Sequence, residues 1–350
     1  MPSIVVAGHI CLDIKPQLSE TVELAPGRLI DVGPLSITLG GSVANTGSAL
    51  ASLGVHVTPF SSVGDDELAQ IMTLKLAEAG FAAPHLSIAP GASTSYSLVI
   101  ERPGEDRTFW HHTGANGFFD GESLNVGQVD AVHIGYPSLL PGLLDNDAEH
   151  LVTVLKRAKE AGALTSIDLA VVDPASPVGG LDWDTIFTRI SPFTDLISPS
   201  LDDLTSALHI DEPYSRELAE RMAQRLLDDG VAIVAISAGS HGMLLRTTSS
   251  SERIQSAGHL LASSGDQWLN RTIAVEPIPV TAPETTNGAG DASSAGLLFA
   301  ITHGASPEQA AHLAAACAAA VMSGKQPTPA FVSQIAPELS AFMKNIGENT

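Results

Sequence analysis

A glycine-rich heptapeptide, Thr285-Thr286-Asn287-Gly288-Ala289-Gly290-Asp291, feeds an apolar stretch, Ala292 to Ala300, that reads as a helix ending near His303-Gly304. A glycine loop opening a helix leaves several backbone N–H groups unpaired and aligned, with the helix dipole behind them. That arrangement binds anions, phosphate above all. Asp291 falls on the first turn, beside the anion cradle, where a carboxylate can take a proton from a hydroxyl. An anion hole with an adjacent base is what moving a phosphoryl group onto an alcohol requires. The heptapeptide taken alone also fits a turn whose aspartate merely caps the helix.

Two further sets of residues carry chemistry. Asp13 follows a short apolar run, Ile4 to Ala7, and Gly40-Gly41 precede Asn45 at the start of a helix. A carboxylate, an amide side chain and exposed backbone at paired glycines could together hold a polyol. Each has a plainer use as well: Asp13 could close an Asx-turn and Asn45 could satisfy backbone groups at the helix start. Downstream, Ser237-Ala238-Gly239-Ser240-His241-Gly242 follows an apolar strand and precedes its hairpin partner, Met243 to Arg246.

The elements that must position these residues alternate regularly. Strands are expected at Ile4–Ala7, Val55–Val63, Ala131–Ile134, Leu164–Ile167, Leu196–Ser198 and Val231–Ile236. Helices are expected from the Gly40-Gly41 pair to about Leu53, from Glu67 to Ala79, at Asp147–Ala161, at Ser215–Asp229 and after Asp291. A last helix opens at Ser306-Pro307-Glu308-Gln309, with an N-cap, a proline at N1 and a capping-box glutamine. Alternation of this kind implies a mostly parallel sheet covered on both faces. Two β-rich pieces, 14–39 and 93–112, interrupt it and read as a small flap over the carboxyl edge of one 350-residue domain. Within the second, Arg102-Pro103-Gly104-Glu105-Asp106 reads as a hairpin turn.

A net charge of −22 excludes sequence-independent nucleic-acid binding and docking on anionic lipid. With 44% hydrophobic residues the chain is globular, and no apolar run is long enough to span a bilayer. The two cysteines, Cys11 and Cys317, indicate no disulfide framework, and no Cys/His spacing matches a zinc site. The N-terminus lacks a basic region, so the expected location is the cytoplasm.

The ordered set of motifs resembles the ribokinase-type, phosphofructokinase-B-like, carbohydrate kinases: Gly8 and Asp13, then Gly40-Gly41 and Asn45, then Ser237-x-Gly239-x-x-Gly242, then Asn287-Gly288-Ala289-Gly290-Asp291. Arg107-Thr108-Phe109 followed by Gly114-Ala115-Asn116 also fits sugar kinases of that group, and the likeness runs from residue 4 to about 323. The resemblance implies a three-layer α/β/α fold and an ATP-dependent kinase acting on a hydroxyl of a small sugar or sugar acid. Asp291 would be the base, with the amides of Gly288, Ala289 and Gly290 as the anion hole. Asp13, Gly40, Gly41 and Asn45 would hold the substrate. Ser237, Gly239, Gly242, Asn287 and Ser200 would contact the nucleotide, and the helix from Ala310 to Val321 would flank the adenine.

Two positions depart from the family pattern. Ser200-Leu201-Asp202-Asp203 stands where the family carries Asn-x-x-Glu, leaving Asp203 as an outer-shell contact to Mg²⁺. Thr285 stands where the family usually has Asp, at the edge of a site that binds a monovalent cation such as K⁺ in relatives. The resemblance further implies a homodimer paired through the flap. The rival readings are a nucleoside kinase on the same scaffold and a catalytically weakened sugar- or nucleotide-binding regulator.

Overall fold

The computed structural model describes residues 2–18, 26–81, 84–101 and 108–347. The hairpin turn expected at residues 102–106 lies outside the described residues. A nine-stranded sheet forms the centre, built from β1 (Ser3–Gly8), β4 (His56–Val63), β5 (His85–Ile88), β8 (Ala131–Gly135), β9 (Leu164–Asp168), β10 (Leu196–Ile197), β11 (Ile233–Ser237), β12 (Met243–Thr247) and β13 (Thr272–Val275). Across the sheet the order is β13-β12-β11-β10-β9-β8-β1-β4-β5. The seven strands from β11 to β5 pair in parallel, and β12 pairs antiparallel with both of its neighbours.

Alternation along the strands sorts their side chains onto two apolar faces. Val5, Ala7, Val132, Ile134, Val234 and Ile236 pack on one side, against α3 (Pro141–Glu160), α4 (Trp183–Ile190), α5 (Leu201–Ala207) and α6 (Arg216–Asp228). Ile4, Val6, Ala131, Ile233 and Ala235 pack on the other. There they meet α1 (Ser42–Ser52), α7 (Ser251–Gln255), α8 (Gly258–Ala262), α9 (Ala289–Thr302) and α10 (Pro307–Met322). This is the three-layer arrangement expected of buried parallel strands. Contact between α9 and α10 is close enough that a Cβ on Gly296 would sit 2.9 Å from the Cα of Ala314. The capping box expected at Ser306 and Gln309 forms, with both reciprocal hydrogen bonds present. α3 begins earlier than its sequence suggests, at Pro141, and a break at residues 145–148, three of them left-handed, separates its first turn from the regular helix.

A second sheet of four strands, in the order β3-β2-β6-β7, comes from β2 (Cys11–Pro16), β3 (Leu35–Gly40), β6 (Tyr96–Ile100) and β7 (Thr108–His112). It has two chemically different faces. Leu12, Ile14, Ile37, Leu39 and Tyr96 join an apolar cluster with α1 and α2 (Glu67–Glu78). The opposite face carries a row of polar residues in register, Thr38, Asp13, Ser97 and His111, one from each strand. Asp13 therefore sits within a strand, not in a turn after β1. Among the described residues no helix is long and apolar enough to cross a membrane.

Candidate active site

The carboxyl ends of β1, β8, β9, β10 and β11 reach the same edge of the large sheet. Strand order reverses at β1, since β4 lies on one side of it and β8 on the other. Ligands of open α/β sheets bind in the crevice that such a reversal creates.

α9 starts at this crevice. Gly288 caps it in the left-handed conformation at φ 77°, which glycine adopts without penalty. The loop before it is closed by Thr285, whose Oγ1 accepts from the amide of Asn287 at 3.0 Å. Amides in the first turn of a helix have no intrahelical acceptor. The space in front of Gly290 is open: among the described residues, nothing outside its own helix turn lies within 4 Å of where its Cβ would be.

One residue later the environment inverts, because Asp291 is fully buried. Its Oδ2 accepts from Asn45 Nδ2 at 3.0 Å and from the Tyr136 hydroxyl at 2.7 Å. Its Oδ1 accepts from Thr46 Oγ1 at 3.1 Å, and Thr46 in turn shares a hydrogen bond with Ser42 at 3.2 Å. Burial raises the carboxyl above the usual range, and the bonds from Tyr136, Asn45 and Thr46 pull it back part of the way. The result is an oriented carboxylate, less acidic than a surface aspartate.

Tyr136 follows β8 with φ 58° and ψ 52°, left-handed values that a residue with a bulky side chain rarely takes. Its amide is fixed by the carbonyl of Asp168 at 3.0 Å, which aims the ring at Asp291. Burial, then the charges of Asp291 and Asp168, push the phenol well up, so it stays a proton donor. Asp168, the last residue of β9, accepts from the Leu169 amide at 2.8 Å and from Ser294 Oγ at 3.1 Å. Desolvation and the neighbouring Asp291 and Asp203 carboxylates raise it strongly. Burial likewise brings Asp203 to about 6.

Asp203 and Ser200 are committed first to each other. Ser200 Oγ accepts from the Asp203 amide at 3.1 Å, and Asp203 Oδ2 accepts from the Ser200 amide at 2.7 Å, a capping box for α5. Ser200 also bridges to Ser237, which brings the Ser237–Gly242 loop alongside. In that loop a Cβ on Gly242 would meet the Val275 carbonyl at 2.1 Å, whereas the surroundings of Gly239 are open. Ser293, on α9, donates to Met243 at 3.9 Å just past the loop, so the loop and the helix start share one region.

On the far side of Asp291, Asn45 lies against Gly288, 3.5 Å from the position of a Cβ there. Gly41 caps α1 at φ 86°, hard against His9. A Cβ on Gly40 would fall 2.6 Å from both carboxylate oxygens of Asp13, so only glycine lets that carboxylate lie there. Asp13, Gly40, Gly41, Asn45 and Asp291 thus form one connected set, with Ser200, Asp203 and Ser237 along the adjoining edge.

Sequence reasoning missed Thr46, Tyr136 and Asp168 as partners in this set. It also missed a cluster. His9, Cys11 and His111 converge, their ligand atoms all within 4.8 Å of one another. Local spacing gave no zinc pattern, and it could not show this set, because β7 brings His111 across the second sheet to residues about a hundred positions earlier. His112, its neighbour, turns the other way and lies 5.3 Å from the Tyr96 ring.

Comparison with known proteins follows this geometry. A family model described as pfkB family carbohydrate kinase matches residues 1–332. Ribokinase from Arabidopsis thaliana, solved with ribose and ATP, is 18% identical with a TM-score of 0.70, covering 95% of this chain and 98% of that one. Nucleoside kinase from Methanocaldococcus jannaschii is 19% identical with a TM-score of 0.69, covering 97% and 99%. Ribokinase from Cryptococcus neoformans, solved with ADP, is 17% identical with a TM-score of 0.63, covering 95% and 99%. At these identities the likeness establishes the fold alone.

Proposed function

The chain belongs to the pfkB family of carbohydrate kinases, and from that premise we propose that it transfers the γ-phosphoryl group of ATP to a hydroxyl of a small neutral sugar. The observation that carries the reading is Asp291. It is a buried carboxylate held by three side-chain donors, one residue past Gly290, where a Cβ would point into open space. In this reading Asp291 accepts the proton of the attacking hydroxyl as the phosphoryl group transfers in line. The amides of Gly288 and Gly290 face the negative charge that spreads over the transferring group, and that of Ala289, which donates to the Thr286 carbonyl at 3.4 Å, would have to turn from it to join them. Ser237, Gly239, Gly242 and Asn287 hold the nucleotide.

Three buried carboxylates around a phosphate site need positive charge beside them. Asp168 and Asp203, both raised first by burial and then by neighbouring carboxylates, Asp291 among them, are a hard oxygen set that fits hydrated Mg²⁺. Mg²⁺ held there would neutralise the phosphate charge. At the expected K⁺ position Thr285 offers a hydroxyl in place of a carboxylate, and that hydroxyl already accepts from the Asn287 amide.

Sugar is favoured by the polar face of the second sheet, where Thr38, Asp13, Ser97 and His111 offer hydroxyl-matched donors and acceptors in one row. Two carboxylates, Asp13 and Asp291, favour a neutral polyol over a sugar acid. In this reading the sheet is a lid over the substrate, and the exposed Trp110 and Leu35, 50% and 59% accessible, are where two copies would pair. A nucleoside is the second reading, because Phe109 lies two residues before His111 on the same face, 44% accessible, where a base could stack. Measuring ADP release against a panel of pentoses, hexoses, sugar acids and nucleosides decides between them. Turnover confined to neutral sugars is expected. Preference for nucleosides would replace the reading, and ligand binding without any turnover would make the chain a regulator.

Tyr136→Phe tests the tuning of the base. The lost hydroxyl holds the carboxylate form of Asp291, so its removal raises the carboxyl further. A base works only when deprotonated, so the acidic limb of kcat/KM moves to higher pH. A hydrogen bond to a charged group contributes about 1.5–3 kcal/mol, which corresponds to a displacement of roughly one to two pH units. Activity lost at neutral pH should return in more alkaline buffer. A uniform loss with the limb unmoved would show that Tyr136 does something else.

A further inference from the structure

His9 stands at the end of β1, Cys11 opens β2, and His111 comes from β7 at the far edge of the second sheet. We propose that these three side chains form a Zn²⁺ site that joins the second sheet to the large one and, when filled, keeps substrate out. The functional half of this proposal rests on the kinase reading; the metal site does not.

The geometry is close to that of a filled site. Nε2 of His9 and Nε2 of His111 face each other at 3.3 Å. Two imidazole nitrogens bound tetrahedrally to one Zn²⁺, each about 2.0–2.1 Å from it, lie about 3.4 Å apart. Cys11 Sγ is within 4.8 Å of both and needs to close by roughly 1 Å to reach a Zn–S bond of about 2.3 Å. Side chains that hydrogen-bond head to head use only one proton between them, and the other nitrogen of His9, Nδ1, is buried without a partner. His111 is better supported: its Nδ1 shares a hydrogen bond with Ser97 Oγ at 3.1 Å, the kind of outer contact that fixes the ring of a metal-bound histidine. Burial keeps His9 and His111 neutral, with lone pairs available.

Charge points the same way. Cys11 already donates to Asp13 Oδ1 at 3.5 Å. On binding, the thiol proton is released to solvent, the Zn–S bond forms, and thiolate plus the Asp13 carboxylate balance the two positive charges. A thiolate with two imidazoles is a donor set that selects Zn²⁺ over Mg²⁺, so the cation used with ATP does not compete. Filling the site holds β7 against the end of β1 and takes His111 out of the polar row that faces the sugar.

Co²⁺ reports the site directly, through its thiolate-to-metal charge-transfer band and the intense visible bands of tetrahedral coordination. With the full chain, one equivalent of Co²⁺ is expected to give these bands, and Zn²⁺ to displace it. Cys11→Ser should abolish the charge-transfer band and His111→Gln should weaken binding at least tenfold, while Cys317→Ala keeps both. In the kinase assay, Zn²⁺ should raise the KM for sugar with kcat unchanged, and a chelator should reverse it. The absence of a thiolate band, or its survival in Cys11→Ser, overturns the site. Zn²⁺ inhibition of equal strength in Cys11→Ser overturns the substrate exclusion. A thiolate band in a protein that phosphorylates nothing would leave the metal site standing and refute the kinase reading alone.

Discussion

Asp291→Asn is expected to lose about 10²–10⁴ in turnover, the range that a positioned general base supplies, and to keep its affinity for ATP and sugar. The fold should survive because the hydrogen-bond pattern can be kept. An asparagine oxygen can accept from Asn45 and Tyr136 as Asp291 Oδ2 does. Its amide then faces Thr46 Oγ1, a hydroxyl that can turn to accept, since it already shares a bond with Ser42. Stability should rise at neutral pH. Asp291 has its carboxyl raised in the folded state by burial, so the native protein binds its proton more tightly than the unfolded chain does. Such a group favours folding while protonated, and that advantage is lost as pH climbs from the ordinary carboxylate range through the raised value. Above that window the buried charge costs stability, and the neutral amide removes the cost. Thermal unfolding at neutral pH and ADP release on the same preparation test both halves. A higher Tm with turnover gone assigns Asp291 to chemistry; turnover within tenfold of wild type would sink the assignment.

What could be read from the chain depended on how far apart the partners stand. The anion loop and its helix were legible because cap, glycines and carboxylate are contiguous. The boundaries of α1, α6 and α10 were legible through Gly41, Ser215 and the Ser306–Gln309 pair, whose capping is local. Ser200 and Asp203 were legible in type only. Their S-x-x-D spacing is itself a capping-box signature, and the structure spends both side chains on each other. Tyr136 and Asp168 carried no local signal, since one follows and the other ends a parallel strand, and both come near Asp291 only because adjacent strands deliver their carboxyl ends to one edge. The His9–Cys11–His111 set is the extreme case. Two of its members are two residues apart, and the third reaches them only once β6 pairs with both β2 and β7.

Gly290→Val separates the anion hole from the fold that carries it. Glycine in a helix usually costs stability, by roughly 1 kcal/mol relative to alanine. Gly288 is required by the backbone, because its φ of 77° is left-handed and any substitution there strains the cap. Gly290 has no such excuse: it lies inside the helix, its φ is not left-handed, and a Cβ would touch nothing. If the space in front of it is where the phosphoryl group passes, a side chain there fills the hole without disturbing the protein. Gly290→Ala should raise the Tm slightly and lower turnover, and Gly290→Val should lower turnover by about 10²–10³, as the removal of an oxyanion donor does. The KM for ATP should rise with it, because the same amides hold the ground-state phosphates. The acidic limb set by Asp291 should not move, since Asn45, Thr46 and Tyr136 still hold that carboxylate. A Gly290→Val protein that unfolds early would mean the space is packing room, and one with turnover within tenfold of wild type would place the phosphate elsewhere.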